Sequence, residues 1–467
     1  MKSVRVRMYR QGLGDCFLLS FPGDRGEAHV LIDCGVLNGT EGASDRIKRV
    51  AQSIFETTAG RLHALVVTHQ HWDHVSGFLQ AQSVFDRLQI QEVWLAWTED
   101  TGDTLAHELT ARKTLATMAI RQAAVRLRTA SDHHAKQTAG RLSNLLGFHG
   151  ELGVGAQLTT AKAMEWVKWR PGARVRYLTP GSTPFESPTL ENVRVFVLGP
   201  PRDPKMLCRS APSTRASGVY ELADIHGADL GFVSAASAID PSSHGGEDKQ
   251  PFDKWFRMTD PEVWDDPFFD KFYGGGVEGE DDEGWRRIES DWLGTAGRLA
   301  LQLDSHTNNT SLVLAFEMLP SKRVLLFPGD AQFGNWMSWG KDWQPKGTTT
   351  PSDITIGDLL ARTVLYKVGH HGSHNATLRE RGLELMSSGE LTAMLPVERK
   401  TAKQMNWQMP FPSLYRRLLE KTNGRILDLE FGISDIKPPR AHEQEWRDFL
   451  SRTEVHPDWI DYWVRSY

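Results

Sequence analysis

Three histidines and one aspartate crowd into six residues of this chain, directly after a short apolar segment. The apolar segment covers residues 62–67, and the polar residues that follow are His69, His71, Asp73 and His74. A short apolar run bounded in this way is typical of a buried strand, so we expect the cluster to leave the strand's carboxyl end. Imidazole and carboxylate are ligands that Zn²⁺, Mn²⁺ and iron accept. The spacing therefore predicts a metal site.

Strand and helix patterns alternate along the rest of the chain. Strands are predicted at 4–9, 16–21, 29–33, 93–97, 193–198, 311–316, 323–327, 363–368 and 392–397. Helical patterns occupy 44–59, 104–147, 376–387 and 412–422. This alternation predicts a mixed α/β fold in which strand ends deliver the metal ligands.

The pattern His69-x-His71-x-Asp73-His74 resembles that of the metallo-β-lactamase superfamily. The resemblance implies an αββα sandwich, with two facing β-sheets flanked by helices and two divalent ions, Zn or Mn, at one edge. His69 and His71 would hold the first ion (metal one), and Asp73 and His74 would hold the second (metal two). Asp330, which follows the strand pattern 323–327, matches the aspartate that bridges the two ions.

A closer resemblance is to the metallo-β-lactamase domain of the competence protein family that includes ComEC. Six elements of that family occur here in order, over residues 1 to about 430: Gly12-Leu13-Gly14-Asp15, Ile32-Asp33-Cys34-Gly35, the histidine motif, Asn309-Thr310-Ser311-Leu312-Val313, Gly329-Asp330 and Val368-Gly369-His370-His371-Gly372-Ser373. The resemblance implies that His370 and His371 supply the last ligand or a group that contacts the leaving oxygen. It also implies that Asn309 and Ser373 help to position the metal ligands without binding a metal themselves.

Two elements of the superfamily pattern differ in this chain. The third histidine of metal one has no clear equivalent, and His306 is the nearest candidate. A Gly-His-Pro element expected after the last core strand is replaced by residues 406–410. Carboxylates commonly hold the outer nitrogen of metal-bound imidazoles, and Asp33, at a strand end, is the candidate for that role. A simple turn residue is the equally weighted alternative for Asp33.

The composition restricts the class of protein. The chain has 467 residues with a net charge of −5, and no apolar run approaches the ~18 residues that a membrane span requires. The negative charge argues against a protein that coats nucleic acid through a global positive field. Three cysteines fit neither a disulfide framework nor a zinc ribbon, and the amino terminus alternates charges where a secretory signal would be apolar. We therefore expect a cytoplasmic protein that does not bind membranes.

Three regions are predicted along the chain. Residues 1–100 and 300–435 form the metallo-β-lactamase core. Residues 101–299 form an insertion of helices and loops that covers the active site. Residues 436–467 form an aromatic-rich helical extension, in which Trp459, Tyr462 and Trp463 recur at helical spacing.

The motifs favour a metal-dependent hydrolase in which Asp73 and His371 take part in catalysis and Asp73 orients a metal-bound hydroxide. The resemblance to ComEC favours a phosphodiesterase or nuclease-like enzyme acting on a nucleic acid or a nucleotide. A lactone, ester or amide hydrolase with the same metals is one alternative. A metal-dependent interaction or regulatory module with little turnover is another, and the two departures from the family pattern support it.

Overall fold

The computed structural model of the chain describes residues 3–24, 26–129, 133–150, 158–181, 185–187, 190–211, 266–268, 295–340, 354–434 and 442–466. In these residues the strands form two eight-stranded sheets. The first sheet contains Ser3–Tyr9 (β1), Phe17–Gly23 (β2), Gly26–Ile32 (β3), Arg61–Val67 (β4), Gln89–Ala96 (β5), Arg174–Leu178 (β6), Thr453–Val455 (β15) and Trp459–Arg465 (β16). Its strand order is β15-β16-β1-β2-β3-β4-β5-β6, and the pairs from β3 to β6 are parallel.

The second sheet repeats this plan with strands from the later part of the chain. It contains Phe185–Glu186 (β7), Val193–Gly199 (β8), Val313–Met318 (β9), Arg323–Phe327 (β10), Thr363–Lys367 (β11), Thr392–Leu395 (β12), Ile426–Asp428 (β13) and Gly432–Ile433 (β14). Its order is β14-β13-β12-β11-β10-β9-β8-β7, and the pairs from β10 to β13 are parallel.

Helices are distributed along the whole described chain. They are Ala43–Thr57 (α1), Trp72–Gln80 (α2), Gln82–Phe85 (α3), Thr104–Thr129 (α4), His133–Phe148 (α5), Thr160–Lys168 (α6), Pro204–Leu207 (α7), Thr295–Asn309 (α8), Phe333–Ser338 (α9), Ile356–Ala361 (α10), Arg399–Gln404 (α11), Pro412–Lys421 (α12) and Glu443–Ser451 (α13). The predicted helical pair within 104–147 is confirmed by α4 and α5. The helix predicted near 376–387 is wrong, because that segment consists of turns and one short 3-10 helix, Leu383–Leu385. Of these helices, none is long and apolar enough to cross a membrane.

Three apolar layers hold the sandwich together. The central layer is formed by side chains from both sheets, such as Val6 and Val30 of the first and Leu314 and Leu325 of the second. A second layer packs α1, α2 and α6 on the outer face of the first sheet, and a third packs α9, α10 and α12 on the outer face of the second. Burial of apolar area stabilises the folded state by about 25 cal/mol per Å². The three layers therefore hold the strands, and with them the strand ends, in place. The predicted αββα sandwich is confirmed.

The predicted carboxyl-terminal helical extension is wrong for its last residues, which form strand β16. Ile460, Tyr462 and Val464 alternate into the central layer, as side chains of a strand must. The opposite face places Asp461 across from Arg7 of β1, and the two side chains form a bidentate ion pair at 2.6 and 2.7 Å. The helical spacing of the aromatic residues was misleading because the pairing partner of this strand lies at the other end of the chain.

The predicted insertion also needs correction, because part of it belongs to the sheets. Strands β6, β7 and β8 all lie within residues 101–299. One compact unit comprises residues 1–110, 147–212 and 304–467, and the other comprises 111–146 and 213–303. The described part of the second unit has its own core of Ala, Ile and Leu side chains from α4, α5 and α8. Residues 212–265 and 269–294 lie outside the described part of the chain, and the insertion's place over the active site stays a prediction.

Candidate metal centre

The predicted ligands lie where parallel strands end. Asp33 directly follows β3, and the histidine motif begins two residues after β4, its parallel neighbour in the first sheet. Asp330 follows β10, and His371 follows β11, its parallel neighbour in the second sheet. The two sheets are joined at this edge, because Leu312 N donates to Thr68 O at 2.8 Å. The predicted ligands from both sheets therefore lie at one edge of the sandwich.

Two glycines let the neighbouring turns approach the histidine motif. Gly14 has a φ of 148°, and a Cβ there would lie 2.5 Å from Asp73 O. A Cβ on Gly35 would lie 2.3 Å from the carbonyl carbon of Asp73. The approach allows Asp15 N to donate to Asp73 O at 3.0 Å and Cys34 N to donate to His74 O at 2.8 Å. Both turns thus clamp the start of α2.

His69 and His71 point ring nitrogens at each other. His69 Nε2 and His71 Nδ1 are 3.0 Å apart, and the rings are inclined by 74°. Two nitrogens that bind one ion at about 2.0–2.1 Å each lie roughly 3.0–3.5 Å apart. The pair therefore has the geometry of two ligands of a common ion.

A second group lies next to this pair. One ligand atom each from Asp15, His74, Asp330 and His371 fall within 4.8 Å of one another, and all four residues are buried. Asp73 Oδ2 is 3.0 Å from His371 Nε2 and 3.9 Å from His74 Nε2. The rings of His69 and His74 have centroids 4.2 Å apart, so the two groups are immediate neighbours.

The Asp33 carboxylate organises two of the histidines. Its Oδ2 atom accepts from His74 Nδ1 at 2.8 Å and from Thr68 Oγ1 at 2.7 Å, while Oδ1 accepts from Thr68 N at 2.8 Å. Because the Thr68 hydroxyl donates to Asp33, its oxygen is left to accept from His69 Nδ1 at 3.1 Å. Both imidazoles then carry their proton on the outer Nδ1 nitrogen. Their Nε2 nitrogens face the centre, where each ring presents a lone pair in its neutral form.

His371 is oriented in the same way from the other sheet. Its Nδ1 donates to Pro396 O at 2.6 Å, which places the lone pair of the neutral ring on Nε2. That nitrogen is 3.0 Å from Asp73 Oδ2 and 3.7 Å from Asp330 Oδ2. Residues 370 and 371 have positive φ values of 44° and 52°, so the turn after β11 adopts a rare conformation to present this ring.

A buried lysine holds the aspartate of the second sheet. Lys367 Nζ donates to Gly329 O at 2.9 Å and to Asp330 Oδ1 at 3.1 Å, and it also contacts Asp15 Oδ2. Burial alone would lower the pKa of Lys367, but the two carboxylates outweigh it and raise that pKa. The ammonium therefore stays charged and fixes the Asp330 carboxylate within the second group.

Burial and neighbouring charges shift the pKa values of the site residues. Burial lowers the pKa of His69 well below its usual value, and the positive charge of His74 adds to this effect. For His74, burial is outweighed by Asp330, Asp15 and Asp73, which raise its pKa well above the usual value. Burial also opposes ionisation of Asp330, yet His74 and Lys367 hold its pKa well below the usual range. His69 is thus neutral and available as a ligand, whereas a cation must displace a proton from His74.

Some predicted site residues are not among the four grouped ligands. Half-buried His370 donates its backbone N–H to Asp330 Oδ1 at 3.1 Å, and its ring lies beside Gln332. Asn309 accepts from Gln332 N and Asn335 N, both at 3.1 Å, and so fastens the loop after Asp330. Ser373 donates to Asn375 at 3.1 Å. His306 is partly exposed on α8.

Four further residues lie at the site without having been predicted there. Asp15 and Lys367 are described above; Asp304 Oδ1 lies 3.7 Å from His71 Nε2, and the His149 ring lies 5.1 Å from that of His71. Burial raises the pKa of Asp304 to about 7, with Asp73 and Asp330 contributing. Asp15 belongs to the Gly-x-Gly-Asp turn, which was the available signal. No local pattern singles out the other three.

The donor set fits a divalent cation. It consists of imidazole nitrogens and carboxylate oxygens, which suit Zn²⁺, Mn²⁺ and iron. Asp73 Oδ1 and Asp15 Oδ1 are buried and have no hydrogen-bond partner among the described residues. Burying an unpaired carboxylate oxygen is costly, and a bound cation would satisfy it.

The comparisons with known proteins agree with this geometry. The family model of the metallo-beta-lactamase superfamily matches residues 9–86, which include the Asp15 turn, Asp33 and the histidine motif. No curated protein matches the chain. The two packed sheets with flanking helices are the metallo-β-lactamase α/β sandwich. The match and the buried Asp/His group support a place in this superfamily and metal-dependent hydrolysis in general.

Proposed function

We propose that the chain is a metal-dependent phosphodiesterase that acts on a nucleic acid or a nucleotide. The observation that carries this proposal is that two groups of possible ligands lie side by side. One is the His69/His71 pair and the other is the buried Asp/His quartet, and the rings of His69 and His74 bring the two groups into contact. Two adjacent cations can clamp the attacking and leaving oxygens of a phosphoryl group in one displacement. The six motifs shared with the ComEC-like family point to the same substrate class.

His69 and His71 would hold metal one; Asp73, His74, Asp330 and His371 would hold metal two. When bound, Zn or Mn ions would supply positive charge that stabilises the phosphoryl oxygens and lowers the pKa of water. The chain's own residues set the geometry. Asp73 Oδ1, which has no donor within the described residues, is the acceptor that can orient the attacking water.

Half-buried His370 is suited to contact the leaving oxygen. Burial lowers its pKa to about 4, so the ring is neutral at neutral pH. Gln332 Nε2 lies 3.4 Å from His370 Nδ1 and can donate to it, which places the ring proton on Nε2. That N–H can then donate to a substrate oxygen. Lys367 contributes indirectly, because it holds Asp330 in place.

The second candidate is an acyl substrate, and an aromatic wall beside His71 is compatible with it. Phe148 packs against His71 with centroids 5.5 Å apart, and Trp407 packs on Phe148 at 5.2 Å. This wall is apolar, and small acyl substrates such as lactones and esters bind in apolar pockets. Bases of nucleic acids also stack on aromatic rings, so the wall fits both classes.

The experiment compares two substrates on one preparation. Protein loaded with Mn²⁺ or Zn²⁺ is assayed with bis-p-nitrophenyl phosphate and with p-nitrophenyl acetate, beside the His71→Ala and Asp330→Ala variants. We expect turnover of the phosphodiester that both substitutions abolish while the protein stays folded. Turnover of the acetate alone would replace the phosphodiesterase with the acyl hydrolase. Survival of activity in either variant would reject the metal-dependent mechanism, and a folded, metal-loaded protein with no turnover would favour the interaction module.

A further inference from the structure

Two aromatic side chains, Phe148 and Trp407, extend from the metal centre towards solvent. Phe148 is buried with its ring centroid 5.5 Å from that of His71, and half-buried Trp407 lies 5.2 Å from Phe148. We propose that this aromatic pair is a stacking subsite for one unpaired nucleobase, with Trp407 as the residue that determines specificity. The inference rests on the phosphodiesterase proposed above and names its substrate as a single-stranded nucleic acid or a nucleotide.

The end of helix α11 fixes the backbone of Trp407. Asn406 has a φ of 57°, and its N–H donates to Lys403 O at 3.1 Å. The N–H of Trp407 donates to Ala402 O at 2.8 Å. These two bonds around a left-handed residue form the Schellman motif that closes a helix, and asparagine tolerates the conformation it requires. The indole is therefore presented from a defined turn.

The segment after Trp407 is fastened to the turn that carries His371. Phe411 N donates to Gly372 O at 2.8 Å. A Cβ on Gly372, whose φ is 81°, would lie 2.9 Å from Pro410 Cβ, so the two turns are in close contact. Because the aromatic pair also contacts the first ligand group, it adjoins both groups of possible ligands.

The distance from the metal centre suits a nucleotide. Ring separations of 5.5 and 5.2 Å place the Trp407 ring no more than about 10.7 Å from that of His71. A phosphate bound at the ligand groups would therefore bring its own base, or that of the next nucleotide, to the aromatic pair. Every base has a flat π face that can stack on an aromatic side chain. Bases of a duplex already stack on one another, so the subsite requires an unpaired base.

The neighbours of Trp407 favour a base over a small acyl group. Asn406 and Gln408 are exposed on either side of it in sequence, whereas Met405 and Met409 pack against the apolar layer of the second sheet. Each exposed amide side chain offers both a donor and an acceptor, which match the polar edge of a base. Small acyl groups bind instead in pockets lined mainly by apolar side chains.

The test compares one nucleic-acid backbone with and without its bases. Mn²⁺-loaded protein is assayed with single-stranded oligothymidylate and with the same sugar-phosphate backbone lacking bases, beside the Trp407→Ala, Trp407→Phe and Trp463→Ala variants. Half-buried Trp463 is the matched control, because β1, β2 and β3 separate its strand from β4.

The readout is the ratio of kcat/KM for the two substrates. In Trp407→Ala it should fall about 5–150-fold through a higher KM, which is the effect of losing one stacked base. Trp407→Phe keeps an aromatic face and should stay close to wild type, as should Trp463→Ala. An unchanged ratio in Trp407→Ala would overturn the proposal, because a structural defect slows both substrates equally.

Binding without turnover gives an independent readout. Thymidine monophosphate has no phosphodiester bond to cleave, and its base should quench the Trp407 indole on which it stacks. We expect quenching of tryptophan fluorescence in metal-loaded wild type that Trp407→Phe lacks and that deoxyribose phosphate does not produce. Equal quenching in both proteins would reject the subsite. If wild type hydrolyses no phosphodiester, the proposed function fails with this inference; if it hydrolyses both backbones and Trp407→Ala leaves their ratio unchanged, only this inference fails.

Discussion

Asp33 should control metal affinity without touching the metal, and Asp33→Asn tests this. The carboxylate accepts three hydrogen bonds, from Thr68 N, Thr68 Oγ1 and His74 Nδ1. An amide oxygen can keep the bond from Thr68 N, but the amide NH₂ then faces the other two donors. His74 Nδ1 can accept a hydrogen bond from this NH₂ only if the ring proton moves to Nε2, the nitrogen that faces Asp330. The ligand lone pair is lost.

The magnitude follows from the bonds that change. Two bonds to a charged group, at about 1.5–3 kcal/mol each, predict a loss of about 3–6 kcal/mol in the free energy of unfolding. Removing the carboxylate behind a ligating histidine predicts a 10–100-fold loss of metal affinity, which is about 1.4–2.7 kcal/mol. Asn tolerates positive φ, so the φ of 55° at position 33 adds little strain.

Two assays separate these effects. Urea unfolding of the chelated protein gives the stability change, and competition with a chromophoric chelator gives the metal affinity. Asp461→Asn is the matched control, because it breaks a buried ion pair with Arg7 outside the metal centre; it should lose stability and keep its metal affinity. If Asp33→Asn loses stability but binds metal as tightly as wild type, the carboxylate is only a turn residue and the reasoning is refuted.

Three further predictions concern the surroundings of the site. Lys367→Met leaves Asp15 and Asp330 without their buried cation, so urea unfolding of the chelated protein should show a loss of about 3–5 kcal/mol in the free energy of unfolding. Added metal should then raise the Tm of the variant more than that of wild type, and an equal rise in Tm would contradict this. Gly35→Ala places a Cβ 2.4 Å from His74 N and should abolish metal binding, whereas Gly389→Ala, with open space around it, should leave binding unchanged; metal retained at wild-type affinity by Gly35→Ala would show that the turn can move. The pKa of Asp304 is raised from 3.8 to about 7, so its share of the chelated protein's stability is present below pH 4 and is lost as pH rises to 7, by at most about 4 kcal/mol. Asp304→Asn should remove that slope in urea unfolding measured from pH 4 to 8, and an unchanged slope would assign it elsewhere.

The fold could be predicted wherever one segment carries its own pattern. The apolar run at 62–67 and the adjacent histidines are local, so both the strand and the position of the cluster at its end follow from a few residues. The αββα architecture followed from the resemblance carried by motifs at strand ends. Strand β16 could not be predicted in this way, because the segment that pairs with it, β1, is separated from it by most of the chain.

The rest of the site depends on contacts between distant segments. Lys367 looks like one more residue of a buried strand, and only the fold brings it to Asp15 and Asp330. His149, in the turn after α5, and Asp304, on α8, approach His71 from segments that no motif connects with the histidine cluster. Sequence spacing identifies ligands that share one loop, whereas site residues from separate segments can be found only from the tertiary structure.

The most direct test of the central claim is the metal content of the purified protein, measured with the His69→Ala, His74→Ala and His107→Ala variants in parallel. We predict bound divalent metal in wild type and in His107→Ala, and a loss of metal in each of the other two variants while they remain folded. A folded wild-type protein that takes up no Zn²⁺ or Mn²⁺ from solution, or variants that keep the full metal content, would contradict the account.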